Sequence, residues 1–245
     1  YFAVTLTEPE VRVELAATPR CAHHRFTFGD DATSGAITLD LAAALIEGRT
    51  EGATVVLEDG DLVVGRTHAY GGFDGRTGGN DVHFVMRFNR PWTGAGHWLN
   101  GEVPPGPGVL EFDHEGATQS CGIYFDFDLE EDPVVEARIC LSIVSDDGAR
   151  DAMDAELPQW DFEGTRAATE ALWEADLGRI EVQGGTADEK VNFYTALYHV
   201  FQMPTVFMDV AGKYRGFDHE VHQADGWNYY TDFSLWDTYR TQHPL

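Results

Sequence analysis

The sequence predicts an antiparallel β-sandwich followed by helices, because the spacing of apolar residues changes once along the chain. In residues 1–145, short runs rich in β-branched and aromatic residues alternate with turn residues, and no helical pattern intervenes. After Ser145, apolar residues recur every three or four positions, as in amphipathic helices. Strands followed by helices indicate segregated layers, not a parallel sheet with crossover helices.

Ten strands are predicted in the first part of the chain. The clearest is Val134–Val144. Its odd-numbered residues are apolar and face one side, whereas Glu136 and Arg138 face the other, which is the pattern of a half-buried antiparallel strand. Asp59-Gly60 marks a hairpin turn. The other predicted strands are Tyr1–Leu6, Val11–Thr18, His24–Phe28, Ala36–Leu41, Thr54–Glu58, Leu62–His68, Val82–Phe88, Val109–Asp113 and Ile123–Asp128.

Three helices are predicted in the second part. The first begins after Asp161, whose carboxylate can cap the free amides of the first turn. The second begins at a capping box formed by Thr186 and Glu189 and runs to about Gln202. The third spans residues 232–242. We expect the second helix to bury Val191, Tyr194, Tyr198 and Phe201.

A long polar and aromatic connection, residues 205–230, joins the last two helices. Asp209–Gly212 is predicted to be a turn between residues 206–208 and 214–217, which can form a hairpin. Connections longer than about 12 residues are uncommon inside compact domains and often carry function.

The charge of the chain excludes two classes of partner. There are 42 Asp and Glu residues against 16 Lys and Arg, so the formal net charge is −26. Such a chain is repelled by the phosphates of nucleic acids and by anionic membrane surfaces. No apolar run is long enough for a membrane-spanning helix.

Neither the cysteines nor the histidines form a recognisable metal motif. Cys21, Cys121 and Cys140 contain no C-x-x-C pair. Cys121 and Cys140 could pair across strands, but we expect buried free thiols. His219 and His222 are three residues apart in a loop, whereas the H-E-x-x-H zinc motif places its histidines four apart on a helix. We interpret them as surface polar residues.

Trp92, His97 and Trp98 are predicted to form an aromatic loop between strands. Exposed tryptophans beside polar groups are typical of sugar-binding sites, since pyranose rings offer apolar faces and polar edges. Packing over the edge of a sheet explains the same residues equally well.

The strongest local signal for a binding site is Trp236 with Asp237 and Arg240. On a helix these side chains share one side. A tryptophan platform beside a carboxylate that accepts from two neighbouring hydroxyls suits a sugar, and Arg240 can orient Asp237. An amphipathic helix with a surface Asp–Arg pair is the alternative, because such pairs are common and weak.

Several stretches, in the same order, resemble glycoside hydrolase family 92. They are Val13-Glu-Leu-Ala-Ala-Thr-Pro-Arg20, His24-Arg-Phe-Thr-Phe28, Pro158-Gln-Trp-Asp-Phe162, Ile180-Glu-Val-Gln-Gly-Gly-Thr186, Asn192-Phe-Tyr-Thr-Ala-Leu-Tyr-His199 with Pro204, Tyr214-Arg-Gly216, and Phe233-Ser-Leu-Trp-Asp-Thr-Tyr-Arg-Thr-Gln-His-Pro-Leu245. The resemblance extends from one end of the chain to the other.

The resemblance implies an N-terminal β-sandwich, a helical linker and an (α/α)6 barrel. Residues 1–145 would be most of the sandwich, without its first strands. Residues 146–185 would be the linker, and residues 186–245 the opening segment of the barrel.

The resemblance also implies function. Members of the family are exo-acting, calcium-dependent α-mannosidases that invert the anomeric centre. Trp236 and Asp237 match the family's Trp-Asp pair, which holds the terminal mannose, and Arg240 is proposed to support Asp237. The general acid, the base and the calcium ligands are expected beyond Leu245, so no catalytic residue or metal ligand is assigned here.

Two other functions remain open. Some relatives remove mannose from a mannose-1-phospho-6-mannose cap, and a non-catalytic carbohydrate-binding fragment is the second alternative. The expected partners are mannose-containing glycans and the remaining segments of the same enzyme. This substrate class implies a secreted or cell-surface protein, whose leader would precede Tyr1.

Overall fold

A computed structural model describes residues 1–43, 48–71, 78–104, 111–231, 235–239 and 242–243 of the protein. Within these residues eleven strands precede the first helix. They are β1 (Phe2–Thr7), β2 (Glu10–Ala17), β3 (Cys21–Phe28), β4 (Ser34–Asp40), β5 (Gly48–Glu58), β6 (Leu62–Gly71), β7 (Asn80–Phe88), β8 (Gly94–Leu99), β9 (Glu111–Thr118), β10 (Cys121–Asp128) and β11 (Val134–Ser142).

Helices and short strands make up the rest of the described chain. The helices are α1 (Asp146–Glu156), α2 (Phe162–Leu177), α3 (Ala187–Phe201) and α4 (Leu235–Thr238). The short strands are β12 (Thr205–Val206), β13 (Lys213–Arg215), β14 (Val221–Gln223) and β15 (Tyr230–Thr231).

The first eleven strands form two antiparallel sheets that pack face to face. The large sheet has the strand order β1-β2-β3-β11-β7-β6-β5-β9, and the small sheet has the order β4-β10-β8. Alternate residues of the strands from β2 to β11 point between the sheets, where they form one apolar core. The predicted antiparallel β-sandwich followed by helices is therefore confirmed. The fully buried side chains of this core include Val55, Val63, Phe88, Ile123, Phe125 and Phe127.

The outer face of the large sheet is covered by α1, a helix that is absent from the sequence-based prediction. Ser145 caps it by accepting a hydrogen bond from the Gly148 amide at 3.1 Å. Periodicity of large apolar side chains does not reveal this helix, because its buried residues are mostly small. Gly148, Ala149, Ala152 and Met153 are buried, and the last three pack against Cys21, Leu62, Val64, Val85 and Cys140.

Strand β11 is covered on both faces along most of its length, so the prediction of a half-buried strand is wrong, although Leu141 near its end is 45% exposed. Arg138, on its polar face, is only 6% exposed. Its guanidinium donates to the Leu157 carbonyl and lies 3.9 Å from the centre of the Trp160 ring. A cation–π contact and a hydrogen bond thus take the place of water, because α1 and the chain after it cover this face.

Strand β8 forms where the sequence predicts an aromatic loop. Its glycines disfavour strands in general. Here Trp98 pairs with Gly122 of β10, and Gly96 pairs with Tyr124. A Cβ atom on Gly122 would lie 2.2 Å from the Trp98 ring and 2.4 Å from the Leu39 carbonyl oxygen. The glycines therefore leave room for an aromatic ring from the opposite strand.

The predicted starts of two helices are confirmed. Asp161 accepts from the Gly164 amide at 2.9 Å at the start of α2, and Thr186 and Glu189 form the capping box of α3. Of the third predicted helix, residues 235–238 are helical, while residues 232–234 and 240–241 lie outside the described residues. None of the described helices has both the length and the hydropathy of a membrane span.

The predicted buried face of α3 is wrong. Val191 is 63% exposed and Tyr198 37% exposed, Tyr194 and Phe201 are half-buried, and Leu197 is the buried residue of this helix. Helix α2 contacts α3, with the Trp173 and Tyr198 rings 4.7 Å apart. A single neighbouring helix covers one side only, which leaves an apolar stripe uncovered.

Residues 205–231 form two short ladders instead of the predicted hairpin. The Asp209–Gly212 turn is present, since the Gly212 amide donates to the Asp209 carbonyl at 2.9 Å. However, β13 pairs with β14 and β12 pairs with β15. The Tyr214 and His222 rings face each other across the first ladder at 5.4 Å, and this contact favours a partner strand later in the chain.

Cys21 and Cys140 form a disulfide, whereas the sequence predicts free thiols or a Cys121–Cys140 pair. Cys21 and Cys140 are directly opposite each other on β3 and β11, with their Cα atoms 4.0 Å apart. Cys121 is free and buried. The disulfide closes a loop of 119 residues, and the adjacency of β3 and β11 cannot be read from local spacing.

Glu14 connects the edge of the large sheet to α2. It is 6% exposed and accepts hydrogen bonds from Arg25 Nε at 2.8 Å and from the Tyr1 hydroxyl at 2.5 Å. Arg25 also pairs with Glu163 of α2 at 2.9 Å. The hydrogen bond from Arg25, followed by that from Tyr1, lowers the pKa of Glu14 to about 2 despite its burial.

Removing the disulfide should lower the free energy of unfolding, because a long unfolded loop regains its conformational entropy. For a loop of this length we expect a loss of up to about 4–5 kcal/mol in the double variant Cys21→Ala/Cys140→Ala. Urea unfolding of wild type and variant, each with and without reductant, measures the loss. The matched control Cys121→Ala should respond to reductant as wild type does, and an unchanged stability of the double variant would contradict the pairing.

The variant Gly122→Ala should destabilise the sandwich by about 1–3 kcal/mol, because the new methyl group meets the fixed Leu39 carbonyl as well as the Trp98 ring. Gly94→Ala is the control, since its nearest neighbour is a flexible Asp126 carboxylate oxygen at 3.2 Å. Thermal unfolding compares the two. Equal stabilities of the two variants would argue against the close packing of Trp98 and the Leu39 carbonyl on Gly122.

Stability should fall on acidification through Glu14. Between its ordinary pKa of 4.5 and the folded value of about 2, the unfolded chain binds a proton that the folded protein does not. The free energy of unfolding therefore decreases as the pH falls through this range, by on the order of 2 kcal/mol. Unfolding titrations from pH 6 downwards should show a shallower loss for Glu14→Gln. Glu10→Gln, which alters an exposed carboxylate on the same strand, should keep the wild-type slope.

Candidate substrate-binding site

Helix α4, which carries Trp236, is held at both of its ends. Before it, Thr231 and Tyr230 of β15 pair with β12. After it, the Gln242 side-chain amide donates to the carbonyls of Val200 at 2.9 Å and Met203 at 2.7 Å. The helix is therefore attached to the C-terminal end of α3 and to the chain that follows α3.

Trp236 is presented on the surface of the described chain. Its side chain is 84% exposed, whereas Thr238 on the same helix is buried. The backbone of Asp237 lies in α4, but the side chain of Asp237 and the whole of Arg240 lie outside the described residues. An exposed tryptophan on a fixed helix can act as a platform for an apolar sugar face. The grouping of the three side chains remains a prediction.

An aromatic cluster in the connection before α4 was not singled out as a site by the sequence. The Tyr214 and Tyr229 rings stack at 4.2 Å, and Trp227 meets Tyr214 edge-on at 5.4 Å. Trp227 is 49% exposed, and Phe217 at the tip of the β13–β14 hairpin is 82% exposed. The high aromatic content of residues 205–230 is the signal that indicates this cluster, although the stacking depends on pairings between short strands.

The histidine motif in the same connection makes a local His–Asp hydrogen bond. His222 Nε2 lies 2.9 Å from Asp218 Oδ2. This hydrogen bond from His222 lowers the pKa of Asp218. Among the described residues, no group of three or more His, Cys, Asp or Glu side chains is placed to hold a metal ion.

The aromatic residues around β8 pack onto the sandwich. Trp92 contacts Phe88 at 6.3 Å and Phe125 at 5.2 Å between ring centres, and it lies against the main core. Trp98 covers Gly122. Of the two interpretations that the sequence leaves open, these contacts favour packing over the sheet.

Comparisons with known proteins agree on one family. The model of the glycosyl hydrolase family 92 N-terminal domain matches residues 1–142, and that of the family 92 catalytic domain matches residues 148–245. No curated protein matches the sequence.

Solved structures agree with this result. A family GH92 α-mannosidase from Bacteroides thetaiotaomicron is 29% identical, with a TM-score of 0.85 over 99% of this chain and 32% of that protein. Its complex with mannoimidazole gives the same identity and TM-score, over 99% of this chain and 31% of that protein. A family GH92 inverting mannosidase from the same bacterium supports the fold. It is 24% identical, with a TM-score of 0.83 over 99% of this chain and 31% of that protein.

This chain thus spans about a third of the length of the solved structures that it matches. The N-terminal-domain model by itself covers well over half of the 245 residues. The chain belongs to glycosyl hydrolase family 92.

Proposed function

We propose that this chain is part of an exo-acting α-mannosidase that hydrolyses terminal α-mannosides of glycans with inversion. The observation that carries the proposal is the likeness of nearly the whole chain to a family GH92 α-mannosidase, one structure of which is a complex with mannoimidazole. The match is 29% identical overall and covers 99% of the chain.

In this proposal α4 forms part of the subsite for the terminal mannose. The exposed Trp236 ring stacks on the apolar face of the sugar. Asp237 accepts hydrogen bonds from neighbouring hydroxyls, and Arg240 keeps that carboxylate ionised and oriented. Buried hydrogen bonds of this kind distinguish epimers, because a missing or inverted hydroxyl leaves a polar group of the site unpaired.

The chemistry requires two carboxyl groups that this part of the enzyme is not proposed to supply. In an inverting glycosidase one carboxylic acid protonates the leaving oxygen, and a carboxylate activates water on the other face, usually about 6.5–9.5 Å away. We place both groups outside residues 1–245. Calcium dependence is proposed from the family alone, since the described residues offer no suitable cluster of ligands.

We further propose that the enzyme works outside the cytosol, at the cell surface or in a secreted form. The buried Cys21–Cys140 disulfide supports this, because structural disulfides form and persist mainly in oxidising compartments. Terminal α-mannosides of extracellular glycans would be accessible there.

Replacing Asp237 by Ala in the complete enzyme should lower kcat/KM for an α-mannoside by at least about 100-fold, because the sugar loses a hydrogen-bond acceptor. Trp236→Ala should lower it by about ten- to 100-fold through lost stacking. Steady-state kinetics with 4-nitrophenyl α-mannoside measures both effects, and thermal unfolding should show that both variants fold.

The control is Asp225→Ala, which removes an exposed carboxylate of the connecting segment and should leave the kinetics unchanged. Wild-type kinetics in Asp237→Ala would refute the assigned subsite. Assaying a mannose phosphodiester in parallel separates glycoside hydrolysis from removal of a mannose-1-phospho-6-mannose cap. Hydrolysis by residues 1–245 alone would refute the placement of the acid and base.

A further inference from the structure

The segment that leads to α4 contacts the sandwich at a buried carboxylate. Asp209 and Ser142 are each 3% exposed, and the Ser142 hydroxyl donates to Asp209 Oδ1 at 2.7 Å. The same hydroxyl oxygen accepts from the amides of Val144 at 2.9 Å and Ser145 at 3.1 Å. The contact therefore joins the end of β11, the start of α1 and the Asp209–Gly212 turn.

A second polar contact lies beside the first. Arg20, just before β3, donates from Nε to the Met208 carbonyl at 2.7 Å and from Nη1 to Glu156 Oε1 at 2.8 Å. The Arg20 amide and the Thr18 hydroxyl also donate to Glu156 Oε2, at 3.0 and 2.6 Å. Arg20 is thus fixed by α1 while it holds the main chain next to Asp209.

A cleft lies beside these polar contacts. A cleft of about 500 Å³ separates residues 205–209 from the ends of β3, β7 and β11. The hydrogen bonds of Asp209 and Met208 span this junction, together with one from Arg215 Nε to the Ile143 carbonyl at 3.3 Å.

Backbone pairing connects residues 208–209 to the strand that precedes α4. The Phe207 amide donates to the Tyr229 carbonyl at 2.9 Å, and the Tyr229 amide lies 3.1 Å from Met208 Sδ. Strand β12 pairs with β15, which ends at Thr231 shortly before α4.

We infer that the contacts of Ser142 with Asp209 and of Arg20 with Met208 position α4, and with it the Trp236 side of the mannose subsite. This inference rests on the proposed function for its effect on catalysis. Asp209 is a positioning residue: it acts on the sugar only through the segment that it fixes to the sandwich.

The geometry of the acceptor, not its charge, is what the contact requires. Burial raises the pKa of Asp209, so the surroundings oppose its ionised form. Asn keeps an oxygen acceptor for the Ser142 hydroxyl and should substitute well. A side chain at Gly148 of α1 should disrupt the contact, because a Cβ atom there would lie 2.1 Å from Asp209 Oδ2.

The test compares Asp209→Ala, Asp209→Asn and Gly148→Ala in the complete enzyme. The control is Asp218→Ala. It removes a carboxylate of the same segment, which is hydrogen-bonded to His222 on the exposed hairpin. We expect Asp209→Ala and Gly148→Ala to raise KM for 4-nitrophenyl α-mannoside about tenfold or more, with a smaller change in kcat. Asp209→Asn should stay within about threefold of wild type, and the control should match wild type. Partial unfolding alone would lower apparent kcat and leave KM unchanged.

Hydrogen–deuterium exchange supplies a readout that does not depend on activity. In Asp209→Ala, residues 205–209, 229–231 and 235–239 should exchange at least about tenfold faster, while β7 and β10 stay protected. Unchanged exchange in these segments would overturn the inference, and so would faster exchange with an unchanged KM. If the wild-type enzyme hydrolyses no α-mannoside, the proposed function fails, and the exchange of residues 235–239 by itself decides whether these contacts fix α4.

Discussion

The large sheet must be covered on both of its faces, and the rest of the structure follows from this constraint. Alternate residues of its central strands are apolar on the side of the small sheet and buried on the other side as well. An uncovered outer face would expose Val64 and Val85 to water, at roughly 25 cal/mol per Å² of apolar surface. Helix α1 and the chain after it cover this face. The start of the helical region is therefore attached to the large sheet through shared apolar packing.

The parts of the fold that could be predicted from sequence are those that follow local rules. Strands with regular alternation and helices with N-caps follow local rules, so the sandwich and the starts of α2 and α3 were predictable. Helix α1 was not, because it packs through small residues. Strand β8 was not, because Gly96 and Trp98 are explained only by their partners on β10, Tyr124 and Gly122. Both depend on partners that are distant in sequence.

In the candidate site, too, the local motif was predictable and the residues that hold it in place were not. Trp236 and its neighbours form a local motif, so the sequence could propose them, and the structure shows Trp236 exposed on a fixed helix. The residues that fix this helix carry no such motif. Ser142 and Asp209 are 67 residues apart, and neither differs in type or local pattern from the many polar residues of this acidic chain. They meet only when the segment after α3 packs against the end of β11.

The register of β3 against β11 connects the disulfide to the contacts that hold the C-terminal segment. Cys140 pairs with Cys21, and the next step along the ladder is the hydrogen bond from the Leu141 amide to the Arg20 carbonyl at 3.0 Å. Since strand side chains alternate, a slip of one residue would turn Ser142 towards the opposite face of the sheet, away from Asp209. A covalent link at Cys21 and Cys140 excludes that slip. The bond that joins these two strands of the large sheet therefore also keeps Ser142 on the face where it meets Asp209.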